Sequence, residues 1–317
     1  MDAIRKVPNF ENAENLDQLH SMLEEIQVKN GWAKRTPSLY PEPKQPYLPA
    51  HWQYSNSRAA LHAAGRLVGT EWAERRNLIL ANPVEGNEYP TVTTLVAAYQ
   101  MVKAGETARS HRHTPNAMRI VIEASPETYT LVDGVNVPME PGDVLLTPSW
   151  AYHGHDNRSS DDAYWIDILD APLVQLLGPM FFEHHPKQFE RSEEIAVDSP
   201  LRFSYSTYKP QLLAAKEESA GVKMLTLGLP QLDTFNRVAV HLDANTIWLC
   251  DRSTANQIFV VVAGSGQSTI GQDEFAWGPG DVIAAPSWIA QKHVAETEAV
   301  LIRMSDELVM RAFNWLR

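Results

Sequence analysis

His111 and His113 are separated by a single arginine, and His153 closes a later β-type run that opens with the turn Pro141-Gly142-Asp143. Alternate residues of a strand share a face, so the first two imidazoles point the same way. An antiparallel neighbour can bring the third beside them. Three imidazoles suit zinc, copper, nickel or ferrous iron, and an ion held by three ligands keeps positions open for substrate or O2. Taken singly, each histidine is explained by ordinary hydrogen bonding. Taken together, H-x-H followed by G-D-x-x-x-x-P-x-x-x-x-H points to a metal site. The adjacent pair His184-His185 is read as part of a solvated loop, because neighbouring side chains diverge.

The elements that must position these residues are short strands. Between residues 91 and 169 the chain breaks into runs punctuated by Gly, Pro and Asp, the pattern of a sandwich or barrel. Strands are expected over 93–102, 117–123, 129–132, 144–147 and 164–169, with Asp133-Gly134 as a hairpin turn. After about residue 220 strands resume and the chain repeats itself. Pro279 to His293 lies over Pro141 to His155, both running P-G-D-V, three residues, P-S-W, four residues, His. A repeat of whole-domain size means two copies of one fold. In the second copy Asp251, Ser253 and Gln291 fall where His111, His113 and His153 stand, so that copy is expected to hold no metal and to serve packing or assembly.

Ahead of the barrels, residues 13–29 carry Leu16, Leu19, Met22, Leu23 and Ile26 on one helical stripe, with Asn30-Gly31 as the stop. Residues 36–49 include five prolines, which forbid helix and central strand. Tyr40, Tyr47 and Trp52 suit an arm laid across a surface. A second helix, capped by Ser55 or Asn56, is expected to bury Ala60, Leu61, Ala64 and Leu67. A third short helix over 70–76 precedes a strand from Asn77. Residues 171–179 read as a brief helix opening an irregular connection, and 306–317 as a terminal helix. The expected division is 1–90 for helices and proline-rich arm, 91–170 for the metal-binding barrel, 171–220 for the connection and 221–317 for the second barrel.

Lys and Arg number 27 against 39 Asp and Glu, a net charge of -12 that argues against a nucleic-acid or anionic-membrane surface. A small acid can still be bound by a few arginines focused in a pocket. The lone Cys250 excludes an internal disulfide and fits a reducing compartment. The first residues lack the apolar run of a signal peptide and no stretch approaches transmembrane length, so a cytoplasmic location is expected.

Residues 105–113 and 142–157 resemble the two cupin motifs, and the doubling resembles a bicupin. Within that superfamily the chain resembles the gentisate 1,2-dioxygenase group, which includes salicylate and 1-hydroxy-2-naphthoate ring-cleaving enzymes. The resemblance runs from about Tyr47 to the C-terminus. It is carried by A-E-R-R at 73–76, A-R-S-H-R-H-T at 108–114, V-P-M-E-P-G-D at 137–143, T-P-S-W at 147–150 and W-I-D-I-L-D at 165–170. No glutamate stands between Thr114 and Met118, similar to the three-histidine variant of that group. The resemblance implies an all-β fold with peripheral helices: two jelly-roll β-sandwich barrels plus an N-terminal helical and proline-rich arm. It further implies Fe(II) on His111, His113 and His153, O2 as co-substrate, a small aromatic acid as substrate, and a homotetramer. Ring opening then falls between the carboxylate-bearing and hydroxyl-bearing carbons.

A substrate carboxylate calls for arginine, whose planar fork matches its two oxygens. Arg119 lies six residues after His113 with the same strand parity, and Arg75 matches the first arginine of the group's E-R-R segment. By family position Gln100 faces inward toward substrate, and His155 stands beyond the third ligand as a proton carrier. Asp167 is expected to orient it. Departures from the group lie at Tyr152 and Gly154, at Glu123-Ala-Ser-Pro-Glu127 and at Asn77. They widen the expected substrates from gentisate to salicylate and its 5-nitro or 5-halo forms. The rival readings are another metallo-cupin, a Mn or Zn isomerase or hydrolase, and a non-catalytic bicupin that binds sugars or aromatic acids.

Overall fold

Val96–Val102, Ala117–Glu123 and Ala163–Leu169 are rich in apolar residues at successive positions, as strands covered on both faces must be. In the computed structural model of the chain they lie side by side in a six-stranded antiparallel sheet. The structure describes residues 8–32, 38–70, 72–73, 75–189, 192–228 and 232–317. On one face of that sheet Met118, Ile120, Tyr164, Ile166 and Ile168 join Ile258, Val260, Ala284 and Ile302 of the second barrel in one core. The alternate residues Val121 and Trp165 face inward, toward Val137 of a five-stranded sheet and Met139 just beyond its strand. The first barrel is thus a sandwich whose outer sheet packs against a seven-stranded sheet of the second, which a four-stranded sheet completes.

The repeat extends beyond the strands. Ala50–Trp52 pairs with Val282–Ala285 of the second barrel, and Arg202–Phe203 pairs with Val144–Thr147 of the first. Each short strand leads into a helix, Tyr54–Leu67 or Tyr205–Ala214. The first backbone N–H of each helix donates to the aspartate of a Pro-Gly-Asp turn, Tyr54 to Asp281 at 2.8 Å and Tyr205 to Asp143 at 2.9 Å. Gly142 and Gly280 have φ of +86° and +85°, and a Cβ there would fall 2.8 and 2.6 Å from a tyrosine ring, so each turn requires glycine.

Several expectations change. The first helix is Leu16–Glu25, within the separate unit Met1–Lys44; Gln27 in the left-handed region and the Val28 N–H on Leu23 O end it before Asn30. Residues 38–49 carry neither helix nor strand, while Thr36 and Pro37 lie outside the described residues. Gln45 Nε2 donates to Trp288 O at 2.6 Å, and Leu48 exchanges hydrogen bonds with Asn82, so the part of this stretch from Gln45 onward lies along the surface of the second barrel and its neighbour. The second helix is preceded by Gln53, not capped by Ser55 or Asn56, and buries Tyr54, Leu61 and Gly65. That stripe leaves Leu67 on the outside, 82% exposed.

The described residues of 70–76 form no helix. Arg76 instead opens the strand Arg76–Ile79, where Val68 O and Glu106 hold its buried guanidinium. The terminal helix is only Glu307–Ala312, closed by Asn314 at φ 56° and the Trp315 N–H on Met310 O. No helix among the described residues is long and apolar enough to cross a membrane, which leaves strands aside.

Candidate metal centre

The strand Thr107–His113 enters the site through a β-bulge. Ala108 pairs with His155 and His111 with His153, so one extra residue is taken up on the first strand. Beyond the bulge Arg112 points outward, where it donates to Glu183 at 2.7 Å and lies over Trp150 and Tyr152. His111 and His113 therefore share the inner face. Ring centroids stand 4.4 Å apart for His111 and His153 and 4.7 Å apart for His113 and His153. One nitrogen from each lies within 4.8 Å of the others.

The proton on each ring follows from its partner. Nδ1 of His111, His113 and His153 meets the backbone oxygens of Arg109, Pro115 and Ala151 at 3.3, 2.8 and 3.1 Å. A carbonyl only accepts, so each Nδ1 carries the hydrogen and each Nε2 keeps its lone pair. Burial, then the Arg75 charge and His113, lowers the His111 pKa to about 3. Burial likewise lowers His113 and His153, with the neighbouring imidazoles adding to the effect on His153. Three neutral nitrogen donors with lone pairs free fit a divalent metal of the kind imidazole prefers.

His155 is 2% exposed, and its Nδ1 lies 3.2 Å from Thr130 Oγ1. Burial, then the charges of Arg119 and Arg75, holds it neutral, well below the usual histidine range. The expected partnership of Asp167 with His155 is not found. Asp167 sits directly across from Arg119 on the neighbouring strand and takes its guanidinium, Nη2 to Oδ2 at 2.9 Å and Nε to Oδ1 at 2.8 Å. Nη1 of Arg119 donates to Thr130 Oγ1. The fork expected to take a substrate carboxylate is therefore occupied by a carboxylate of the chain itself. Trp165 lies between the two groups, 5.1 Å from the Arg119 guanidinium and 4.7 Å from the His155 ring.

Gln100 is buried across from Trp165. His155 Nε2, Gln100 Oε1 and Trp165 Nε1 are buried without hydrogen-bond partners among the described residues. Each such atom costs about 1–3 kcal/mol unless something satisfies it. Arg75 is partly buried, and its charge reaches His111, His113, His153 and His155.

The second barrel is filled differently. Among the described residues, fourteen buried apolar residues form its interior cluster against seven in the first, where polar side chains take up the difference. Opposite Gln291 stands Cys250, not Asp251, because the strand Ile247–Cys250 has no bulge; Ser253 does match His113, the backbone carbonyl of each accepting from the backbone N–H of a tryptophan, Trp288 or Trp150. The connection also holds an unexpected element. Phe182–His184 is a strand paired with Thr107–His113, with His184 across from His111, its ring edge-on to Phe182. Phe182 stacks on His111 at 5.1 Å. Thr130 belongs to no motif of the sequence, and the one signal for it is the repeat: it lies eleven residues before Pro141 just as Ser268 lies before Pro279.

A cupin domain model matches residues 98–169. The 5-aminosalicylate 1,2-dioxygenase of Comamonas sp is 31% identical, over 96% of this chain and 90% of its own. The gentisate 1,2-dioxygenase of Streptomyces sp is also 31% identical, over 95% of this chain and 94% of its own. The crystal structure of the salicylate 1,2-dioxygenase from Pseudaminobacter salicylatoxidans matches with a TM-score of 0.88 at 27% identity, covering 96% of this chain and 97% of that one.

Proposed function

The chain belongs to the gentisate and salicylate 1,2-dioxygenase family, and on that premise we propose that it opens the ring of a monocyclic hydroxybenzoate at an Fe(II) ion held by His111, His113 and His153. The substrate is gentisate or a salicylate, plain or substituted at position 5. Both atoms of O2 enter the product, and the bond broken joins the carboxylate-bearing and hydroxyl-bearing carbons. The observation that carries this reading is three imidazoles with one nitrogen of each within 4.8 Å of the others, every Nδ1 being tied to a carbonyl so that Nε2 is left to bind an ion. When bound, the ion supplies Lewis-acid and template chemistry for a chelating acid and O2.

The protein's own residues do the rest. Arg75 takes the acid group, supported by its charge reaching all four histidines. Arg119, held by Asp167, contributes positive field and fixed geometry instead of a free fork. Gln100 and His155 offer their unsatisfied buried atoms to the substrate's oxygens. Asp167 acts on His155 through Arg119 and Thr130. The exposed run Leu176, Leu177, Phe181 and Phe182 supports assembly into a homotetramer, which fits a cytoplasmic enzyme and is measured by light scattering.

Oxygen uptake by the Fe(II)-loaded protein with gentisate, salicylate and 5-amino-, 5-nitro- and 5-chlorosalicylate tests the function. Uptake with none of them overturns it. Arg75→Ala should cost on the order of 2 kcal/mol in substrate binding, roughly a 30-fold rise in KM, with Arg75→Lys a poor substitute. An unchanged KM in both variants removes Arg75 from the substrate site. His155→Ala should keep its iron yet turn over about 10²-fold more slowly. Loss of iron would make His155 a ligand, and full turnover would make it a packing residue.

A further inference from the structure

His153 and His155 share one strand face, yet opposite chemistry ties them down. His153 Nδ1 meets a backbone carbonyl, which only accepts; His155 Nδ1 meets a side-chain hydroxyl, which can also donate. We propose that Thr130 is a positioning residue that holds His155 with its hydrogen on Nε2, so that His155 offers substrate a hydrogen-bond donor and not a fourth metal ligand.

The hydroxyl's own bonds decide the direction. Arg119 can only donate, so its contact occupies a lone pair of Thr130 Oγ1. One hydrogen remains on Thr130, with two acceptors in reach: His155 Nδ1 at 3.2 Å and Met139 Sδ at 3.4 Å. An imidazole nitrogen is the far better acceptor, a thioether a weak one. Once Nδ1 accepts, the neutral ring carries its hydrogen on Nε2. That atom is buried and has no partner among the described residues.

The second barrel repeats this wiring with its far end closed. Trp277 Nε1, a donor only, donates to Ser268 Oγ at 2.9 Å, and Ser268 Oγ lies 2.7 Å from His293 Nδ1. Ser268 pairs with His293 across the strands as Thr130 pairs with His155. There His293 Nε2 reaches Gln291 Oε1 at 3.2 Å, the residue at the position of His153. The side chain in place of the third ligand thus satisfies the Nε2 hydrogen. In the first barrel His153 Nε2 belongs to the metal group, and the same donor of His155 is left for a ligand.

The tautomer is tested without metal or substrate; only its effect on turnover rests on the function proposed above. In metal-free protein labelled with nitrogen-15 histidine, assigned by comparison with His155→Ala, the His155 signals should show a bare Nδ1 and a protonated Nε2. Thr130→Ser should preserve that pattern and Thr130→Val should lose it. With iron bound, Thr130→Val should lower kcat roughly 10-fold or more at nearly unchanged KM and iron content, and Thr130→Ser should restore most of it. Ser268→Ala, the same lesion in the second barrel, should change thermal stability alone.

The proposal falls if wild-type His155 carries its hydrogen on Nδ1, if Thr130→Val keeps full kcat, or if Ser268→Ala loses as much turnover. Should the valine variant fail to fold, the wild-type and serine spectra still decide the tautomer. Absence of oxygen uptake with every hydroxybenzoate would sink the proposed function and leave the spectral result standing.

Discussion

His153→Ala is expected to give a folded protein that retains neither metal nor dioxygenase activity. His153 lies within ring contact of both other members of the group, and its Nδ1 is already fixed on Ala151 O. Removing even an outer partner of a metal-bound histidine weakens metal affinity about 10–100-fold, so loss of a ligand should exceed that. Two imidazoles then remain, and no carboxylate among the described residues joins the group to replace the third. Elemental analysis should find about one iron per wild-type chain and almost none in the variant, and added Fe(II) should restore the stripped wild type only. The fold should survive, because Thr128–Val132 still pairs with His153–Asn157 through the backbone. About two irons per wild-type chain would contradict the single site, since Ser253, Cys250 and Gln291 occupy the matching places in the second barrel. A variant that keeps its iron would overturn the ligand assignment.

Asp167→Ala should produce the largest loss of stability. Arg119 and Asp167 are each 4% exposed, and the carboxylate takes two guanidinium nitrogens at 2.8 and 2.9 Å. Truncating one partner leaves a buried charge without compensation, which costs about 3–5 kcal/mol. Thermal unfolding should shift downward by about 5–15 °C. Replacing both residues with apolar ones of similar volume, Arg119→Met with Asp167→Leu, should recover much of that loss, since the desolvation cost disappears with the charges. Turnover should not recover, because Arg119 also holds Thr130, and Thr130 holds His155. An unchanged melting temperature in Asp167→Ala would mean the pair does not brace the barrel. A fully active double variant would mean that Arg119 plays no part in placing Thr130.

What the sequence by itself determined are the features that depend on local spacing. His111 and His113 share a face because strand geometry has period 2, and the Pro141-Gly142-Asp143 turn sets the distance to His153. Strands Ala117–Glu123 and Val144–Thr147 fall where their apolar runs fall. The two-barrel architecture follows from the repeat, and the inward placement of Arg119 and His155 follows from parity, while that of Gln100 came from the family resemblance.

Partners were decided only by the tertiary structure. Parity states which face a side chain occupies, but not which neighbour it reaches there. Asp167 could meet Arg119 or His155 by that rule. It meets Arg119 because cross-strand register sets them opposite, whereas His155 belongs to the other sheet, across from Thr130. The bulge before His111 and the strand Phe182–His184 are likewise products of pairing between distant segments. The second helix keeps Leu61 of its expected stripe buried but adds Tyr54 and Gly65, and its start is held by Asp281 of the second barrel, a contact no local pattern encodes. Period and composition assign a residue its face; long-range register and burial assign its partner, and in this barrel the partner fixes what each polar group can do.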